Sequence, residues 1–284
     1  MLKNSMLWVA VIFIGCSSAL AGTITVDGDL KDWIARPAGV AGDWSQLRRP
    51  GTTLFTEEDQ NTPYLNPGYG GQTYDAEAMY LEVDSNMLYV AVVTGLRPDH
   101  PAWKPGDLAI DFGNDQVYEY GIVTVGDAVS GHDAWNAGIG TAGQVYRVAE
   151  WNLGLWGAPN SPNDSATPTD YQRQHPTSIK SGALIGSAAV SYALARYDGN
   201  PLGALGALGG NHYLIEAAIP LNLFPEFSSG APKGFTVHWT MGCANDWIAL
   251  DPPGQVSEPS GLGLMGLGLV GLLGRQKGRK LKAR

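Results

Sequence analysis

Two oxygen-rich clusters could do chemistry as they stand: Asp27-Gly28-Asp29 with Asp32, and Asn245-Asp246. Carboxylate, amide and carbonyl oxygens of this kind suit Ca²⁺, which takes about six to eight oxygen ligands. The spacing is not that of an EF-hand, and Asp-Gly and Asn-Asp equally favour turns through local side-chain bonds. Both readings, cation site and turn, stand. A second set is aromatic. Trp103, Trp135, Trp151 and Trp156 lie in or beside irregular segments, together with Tyr64, Tyr69 and Tyr74. Flat rings on loops stack on the apolar faces of sugars while Asn, Gln and Asp bond the hydroxyls, and such rings also anchor loops. Composition names no particular glycan. Trp33, Trp239 and Trp247 fall within or next to predicted strands and are expected in the core.

Enzymatic chemistry finds little support. His132-Asp133 could be two thirds of a triad, but no serine stands in a G-x-S-x-G elbow, and the histidines at 100, 132, 175, 212 and 238 lack zinc-binding spacing. A secreted enzyme would need His132, Asp133 and a nucleophile to meet in one cleft. No catalytic residue is assigned. Beyond residue 21 the chain has a single cysteine, Cys243, so no intramolecular disulfide can form there. A buried, inert thiol is expected.

The elements that must position these residues read as all-β. Strands are predicted at Thr23–Val26, Ala78–Val83, Met87–Thr94, Leu108–Phe112 and Val117–Val125, then at Gln144–Trp151, Ala188–Arg196, His212–Ala218 and Phe235–Met241. Asp84-Ser85-Asn86 joins two of them as a hairpin. Irregular stretches are Pro37–Tyr74, Gly126–Gly143 and Leu153–Gly182, and the low-complexity segment PLGALGALGG at 201–210 reads as a flexible connection. No segment has helical periodicity. The fold expected is a single β-sandwich or jelly-roll-like domain with long loops.

The two ends of the chain read as addresses rather than fold. Lys3 precedes an apolar run from Met6 to Ile14, and Ala19-Leu20-Ala21 before Gly22 has the small-x-small form of a signal peptidase site. Cys16 after Phe13-Ile14-Gly15 offers a lipoprotein alternative. At the other end VSEPS (256–260) is followed by an apolar run, Gly261 to Gly274, and by RQKGRKLKAR (275–284). At about 1.5 Å per residue that run spans about 21 Å, short of a hydrocarbon core of about 30 Å, so it inserts only if the flanking basic residues snorkel. Six basic residues after it would stay in the cytoplasm and leave the body of the protein across the membrane. The organisation expected is a signal peptide over 1–21, a sandwich over 22–252 and a sorting signal over 253–284, its apolar part a membrane helix.

Net charge is −9. Lys3 and the tail hold seven of the 18 basic side chains and Glu258 one of the 27 acidic ones, which leaves residues 22–257 at about −15. Such acidity excludes nucleic acid and anionic membrane surfaces as partners, since both need a positive face.

The terminal order of polar motif, apolar run and basic tail resembles the PEP-CTERM sorting signal, with Glu258, Pro259 and Ser260 matching and Ser257 standing where the family has a proline. The resemblance implies processing by exosortase, transient membrane insertion, and delivery to the cell surface or matrix. TITVDGDLKDW (23–33), YDAEAMYLEVDSNMLYVAVVTG (74–95), PGDLAIDFGN (105–114) and HYLIEAAIPLNLF (212–224) resemble, in that order, segments of family 9 carbohydrate-binding modules. HWTMGCANDWIAL (238–250) resembles the closing strand of exosortase-dependent surface proteins, with Ala244 in place of a glycine. These likenesses imply a β-sandwich and a structural calcium that Asp75 and Glu77 could help Asp27, Asp29 and Asp246 to hold. Some relatives bind haem, but His238 and Met241, three apart on one strand, point to opposite faces. The expected role is non-catalytic association with extracellular polysaccharide. The alternative is a purely structural surface or biofilm protein.

Overall fold

Turn chemistry and apolar runs build the centre of the fold. Either side of Asp84-Ser85-Asn86 lie β2 (Ala76–Val83) and β3 (Met87–Thr94), antiparallel from Val83↔Leu88. Asp84 closes the connection, its Oδ1 accepting from the N–H of Asn86 at 2.7 Å and of Met87 at 2.8 Å. The computed structural model describes residues 24–36, 44–57, 71–126, 137–154, 176–202, 210–228, 234–244 and 246–252.

The other strands are β1 (Leu54–Glu57), β4 (Leu108–Asp111), β5 (Tyr120–Ile122), β6 (Gln144–Asn152), β7 (Ser178–Ser187), β8 (Ala189–Leu194), β9 (Arg196–Tyr197), β10 (Asn200–Pro201), β11 (Tyr213–Pro220), β12 (Thr236–Thr240) and β13 (Trp247–Leu250). They form a five-stranded sheet in the order β1-β2-β3-β11-β8, a six-stranded sheet in the order β13-β12-β4-β5-β6-β7, and a β9-β10 ribbon. All ladders are antiparallel. The sandwich expected from sequence is the fold observed.

Between the sheets lies the main core, where Met79, Leu81, Val90, Val92, Ile215 and Ile219 meet Leu108, Ile110, Ile122, Val145, Val237 and Trp239. The other face of the five-stranded sheet is apolar too. Ala78, Tyr80, Ala91, Val93 and Leu214 are covered there by Leu30, Trp33, Ile34 and Trp44. A strand apolar on both faces reads as a continuous run rather than an alternation, which is the pattern of β2, β3 and β11. The N-terminal segment is therefore a third layer.

Glu216 fastens that layer. It lies on β11 between Leu214 and Ala218, fully buried. Its Oε2 accepts from the N–H of Asp27 at 2.9 Å and of Gly28 at 2.6 Å, and its Oε1 from Trp33 Nε1 at 2.8 Å. These bonds help explain why Thr23–Val26 is not a strand: the described residues 24–26 form none, Thr25 gives its amide to the Asp32 carboxylate, and Asp27 and Gly28 just beyond give theirs to Glu216.

Other departures are local. The run Val117–Val125 yields only the three residues of β5, because residues 111–116 coil around the Asp111 carboxylate with positive φ at Asn114 and Gln116. β1 and the first half of β7 fall in stretches that read as irregular. Ala188–Arg196 divides into β8 and β9 around Ala195. Among the described residues no helix is long and apolar enough to cross a membrane. Ala19, Ala21, Gly22, His132, Asp133, Asn245, the centre of PLGALGALGG and the whole of 256–284, with its expected helix, lie outside the described residues.

Candidate ligand-binding cleft

β6 carries Trp151, one of the predicted glycan-contacting tryptophans, which lines a cleft. Trp151 pairs with Ile179 of β7, and its indole Nε1 donates to the carbonyl of Tyr118 at 2.8 Å. That bond fixes the ring plane. Gly121 on β5 makes room for it: a Cβ there would lie 2.7 Å from both the Trp151 ring and the Ile179 side chain. Gly121→Ala is accordingly expected to cost about 1–3 kcal/mol through overpacking, read as a lower melting temperature, and unchanged stability would refute the tight seat.

The half-buried Trp151 lines a cleft of about 540 Å³ with Tyr118, Glu119, Arg147, Glu150 and Lys180 among its walls. Lys180 and Glu150 pair across it at 3.2 Å, both well exposed. Arg147 and Lys180 are the two basic residues carried by strands of the six-stranded sheet, and both line the cleft. Burial pushes the Tyr118 hydroxyl well above its ordinary value, with the Asp111 charge adding to the effect, so Tyr118 is neutral and able to donate. Beside it the aromatic row continues: Tyr118 lies 5.4 Å from the His238 ring, which stacks on Trp247 at 5.6 Å and 17°. Trp247 is thus half-buried beside His238 rather than in the core as expected, because Val237 and Trp239 take the inward positions of β12. Trp33 and Trp239 are core, as expected.

The remaining tryptophans separate. Trp103 is half-buried against the main core, its backbone N–H donating to His100 Nδ1 at 3.0 Å, so it anchors its loop and does not line the cleft. Tyr74 packs on the same core. Trp135, Trp156, Tyr64 and Tyr69 lie outside the described residues.

The predicted calcium ligands are not gathered into one cluster. Asp29 spends its carboxylate on the N–H groups of Lys31, Asp198 and Gly199, at 3.0, 2.9 and 2.6 Å. Burial pushes its pKa up, but these bonds outweigh burial and hold it below its ordinary value. Asp27 accepts from Asp29 N–H at 3.0 Å. Asp246 is buried and accepts from the N–H of Ala76 at 2.6 Å and of Trp247 at 2.8 Å. The Asp75 carbonyl accepts from Thr94 Oγ1 and from Gly95 N–H. Glu77 accepts from Gln72 Nε2 at 2.6 Å and lies 3.1 Å from His212 Nε2. Burial raises its pKa, and those partners more than offset the rise. These oxygens bond to backbone and side-chain groups, Asp27 and Asp29 partly within their own turn and Asp29 and Asp246 also to residues far away in the chain.

Sequence reading missed a different acidic group. Asp111, Asp115 and Glu119 bring carboxylate oxygens within 4.8 Å of one another. The signal was an acid at every fourth position across the Gly113-Asn114 turn. Burial raises the pKa of Asp111 and of Glu119, backbone N–H bonds oppose the rise, and neighbouring acidic charges add to it.

His238 and Met241 diverge as expected, His238 toward Tyr118 and Trp247 and Met241 into the main core. Cys243 is buried, as expected. Ala244, where the resembling closing strand has glycine, adopts φ +52. Alanine bears a cost of about 1 kcal/mol for this left-handed geometry.

Against known proteins, residues 255–280 match the family of the PEP-CTERM protein-sorting motif. The motif marks this chain as an exported surface protein processed by exosortase. No curated protein matches the chain.

Proposed function

We propose that the protein is a non-catalytic component of the cell surface or matrix whose sandwich associates with extracellular polysaccharide through the Trp151 cleft. The observation that carries this reading is Trp151 itself: an indole locked by Tyr118 and seated on Gly121, lining an open cleft with charged and hydroxyl groups around it. A rigid aromatic platform ringed by hydrogen-bonding groups suits a sugar, whose faces are apolar and whose edges are hydroxyls. The likeness to family 9 carbohydrate-binding modules and the sorting motif support the same reading from the sequence.

Titration calorimetry of the exported protein with polysaccharide from the producing cells tests it. Saturable binding is expected, weakened about tenfold or more, or about 1.4 kcal/mol, by Trp151→Ala. Trp103→Ala should leave affinity unchanged, since that ring packs on the core. Absence of binding, or equal affinity for wild type and Trp151→Ala, would leave a purely structural surface protein as the account.

A further inference from the structure

The charges lining the Trp151 cleft cancel: two basic residues, Arg147 and Lys180, and two acidic ones, Glu119 and Glu150. Lys180 is already bonded to Glu150 at 3.2 Å. A charged sugar finds no net complement there. The body of the protein, at about −15 over residues 22–257, repels an anionic polymer besides. A cationic sugar would meet Arg147, which is exposed and forms no ion pair among the described residues.

Apart from Gln116 and Tyr118, the rest of the lining is apolar: Val117, Val148, Ala149, Leu153 and Pro176 beside Trp151. Val117 is 54% exposed, one of two large hydrophobic side chains so open to solvent among the described residues. A single exposed valine is ordinary, but this one extends an apolar wall. An unsubstituted pyranose stacks one face on the indole and presents hydroxyls elsewhere, so such a wall would desolvate hydroxyls without bonding them. Methyl groups suit it instead. Two donors narrow the choice further. The Tyr118 hydroxyl is neutral and has no hydrogen-bond partner among the described residues, and Arg147 offers guanidinium N–H groups. A substituent that joins a methyl to a carbonyl acceptor answers both wall and donors, and acetyl is that substituent.

We propose that the Trp151 cleft recognises an uncharged, acetylated glycan, its acetyl methyls against Val117 and the neighbouring apolar residues and its acetyl carbonyls accepting from Tyr118 or Arg147. This rests on the polysaccharide reading and names the class of ligand within it.

Calorimetry of the exported protein tests the inference on three preparations of polysaccharide from the producing cells: native, treated with mild alkali to remove O-acetyl esters, and treated with strong alkali to remove N-acetyl groups as well. Each buried methyl is worth about fourfold in Kd, so affinity should fall about fourfold or more at one of the two steps, and the step tells ester from amide. Chemical re-acetylation should restore it. Val117→Ser, a change at an exposed side chain, should bring native and deacetylated material level. Equal affinity for all three preparations, or a preference that Val117→Ser leaves intact, would overturn the acetyl assignment while polysaccharide binding stood. Failure of the native material to bind at all would overturn the polysaccharide reading and this inference with it.

Discussion

Glu216→Ala should destabilise the protein by about 3–5 kcal/mol, because it strands two buried donors and one part-buried donor, the buried ones worth about 1–3 kcal/mol each when left without an acceptor. Those donors are the N–H groups of Asp27 and Gly28 and the Trp33 indole. Beyond the number, the loss has a place: the N-terminal layer over Ala78, Tyr80 and Leu214 should open first, seen as fast amide exchange across residues 27–34. Glu216→Gln should fall between, since an amide keeps one acceptor but turns an N–H toward the remaining donors. A Glu216→Ala protein within about 1 kcal/mol of wild type in urea unfolding would contradict this account.

The same residue predicts a pH dependence. Burial pushes the Glu216 carboxyl up to about 7 from 4.5, even though Trp33, Gly28 and Asp27 donate to it. A carboxyl whose folded pKa is raised holds its proton more tightly when folded, so its contribution is fully present below about 4.5 and is lost as pH rises through 7. The loss is on the order of 3 kcal/mol. Asp107 titrates in the same window, pushed up to about 7 by full burial against the N–H groups of Ile179 and Thr124. Subtracting the Glu216→Gln profile cancels Asp107 and isolates Glu216. The gap between wild type and Glu216→Gln should narrow from pH 5 to pH 8, and a constant gap would remove Glu216 as its source.

The second large effect concerns destination rather than stability. Deleting residues 256–284 removes the motif at 256–260, the apolar run and the basic tail, including most of the residues matched to the sorting family. Export should persist, while sorting by exosortase should be lost essentially completely. Cell fractionation with an antibody against the sandwich reads this directly: surface or matrix protein in the full chain, soluble exported protein in the truncation. Melting temperature should be the same for both, because the main core closes within residues 76–248. A truncated protein still delivered to its normal place would show that another signal directs it.

Much of the sandwich was legible because its signals are local. Asp84-Ser85-Asn86 needs only its own side-chain bonds to turn the chain, and the apolar runs around it are strands wherever they pack. β7 was not legible: Ser-Ile-Lys-Ser-Gly-Ala is weakly apolar, and its strand state depends on pairing with β6 across a long connection. Trp103 and Trp151 look alike in sequence, both near irregular segments. What separates them is the Tyr118 carbonyl and Gly121 in one case and the core in the other. The aspartates follow the same rule. Oxygen-rich residues declare their chemistry, but whether a cation or a backbone amide answers it depends on which chains cross nearby.

By itself the sequence determined the all-β class, the central hairpin, the acidity and the sorting motif, because periodicity, turn chemistry, net charge and a contiguous terminal pattern are properties of composition and neighbours. The tertiary structure alone decided that Glu216 binds a third layer, that Asp111, Asp115 and Glu119 meet, that Trp151 faces a cleft and that β7 is an edge. The Glu216 contacts with Asp27 and Gly28 join residues 189 and 188 positions apart. Contacts at such separation are set by the packing of sheets, and no local pattern encodes them.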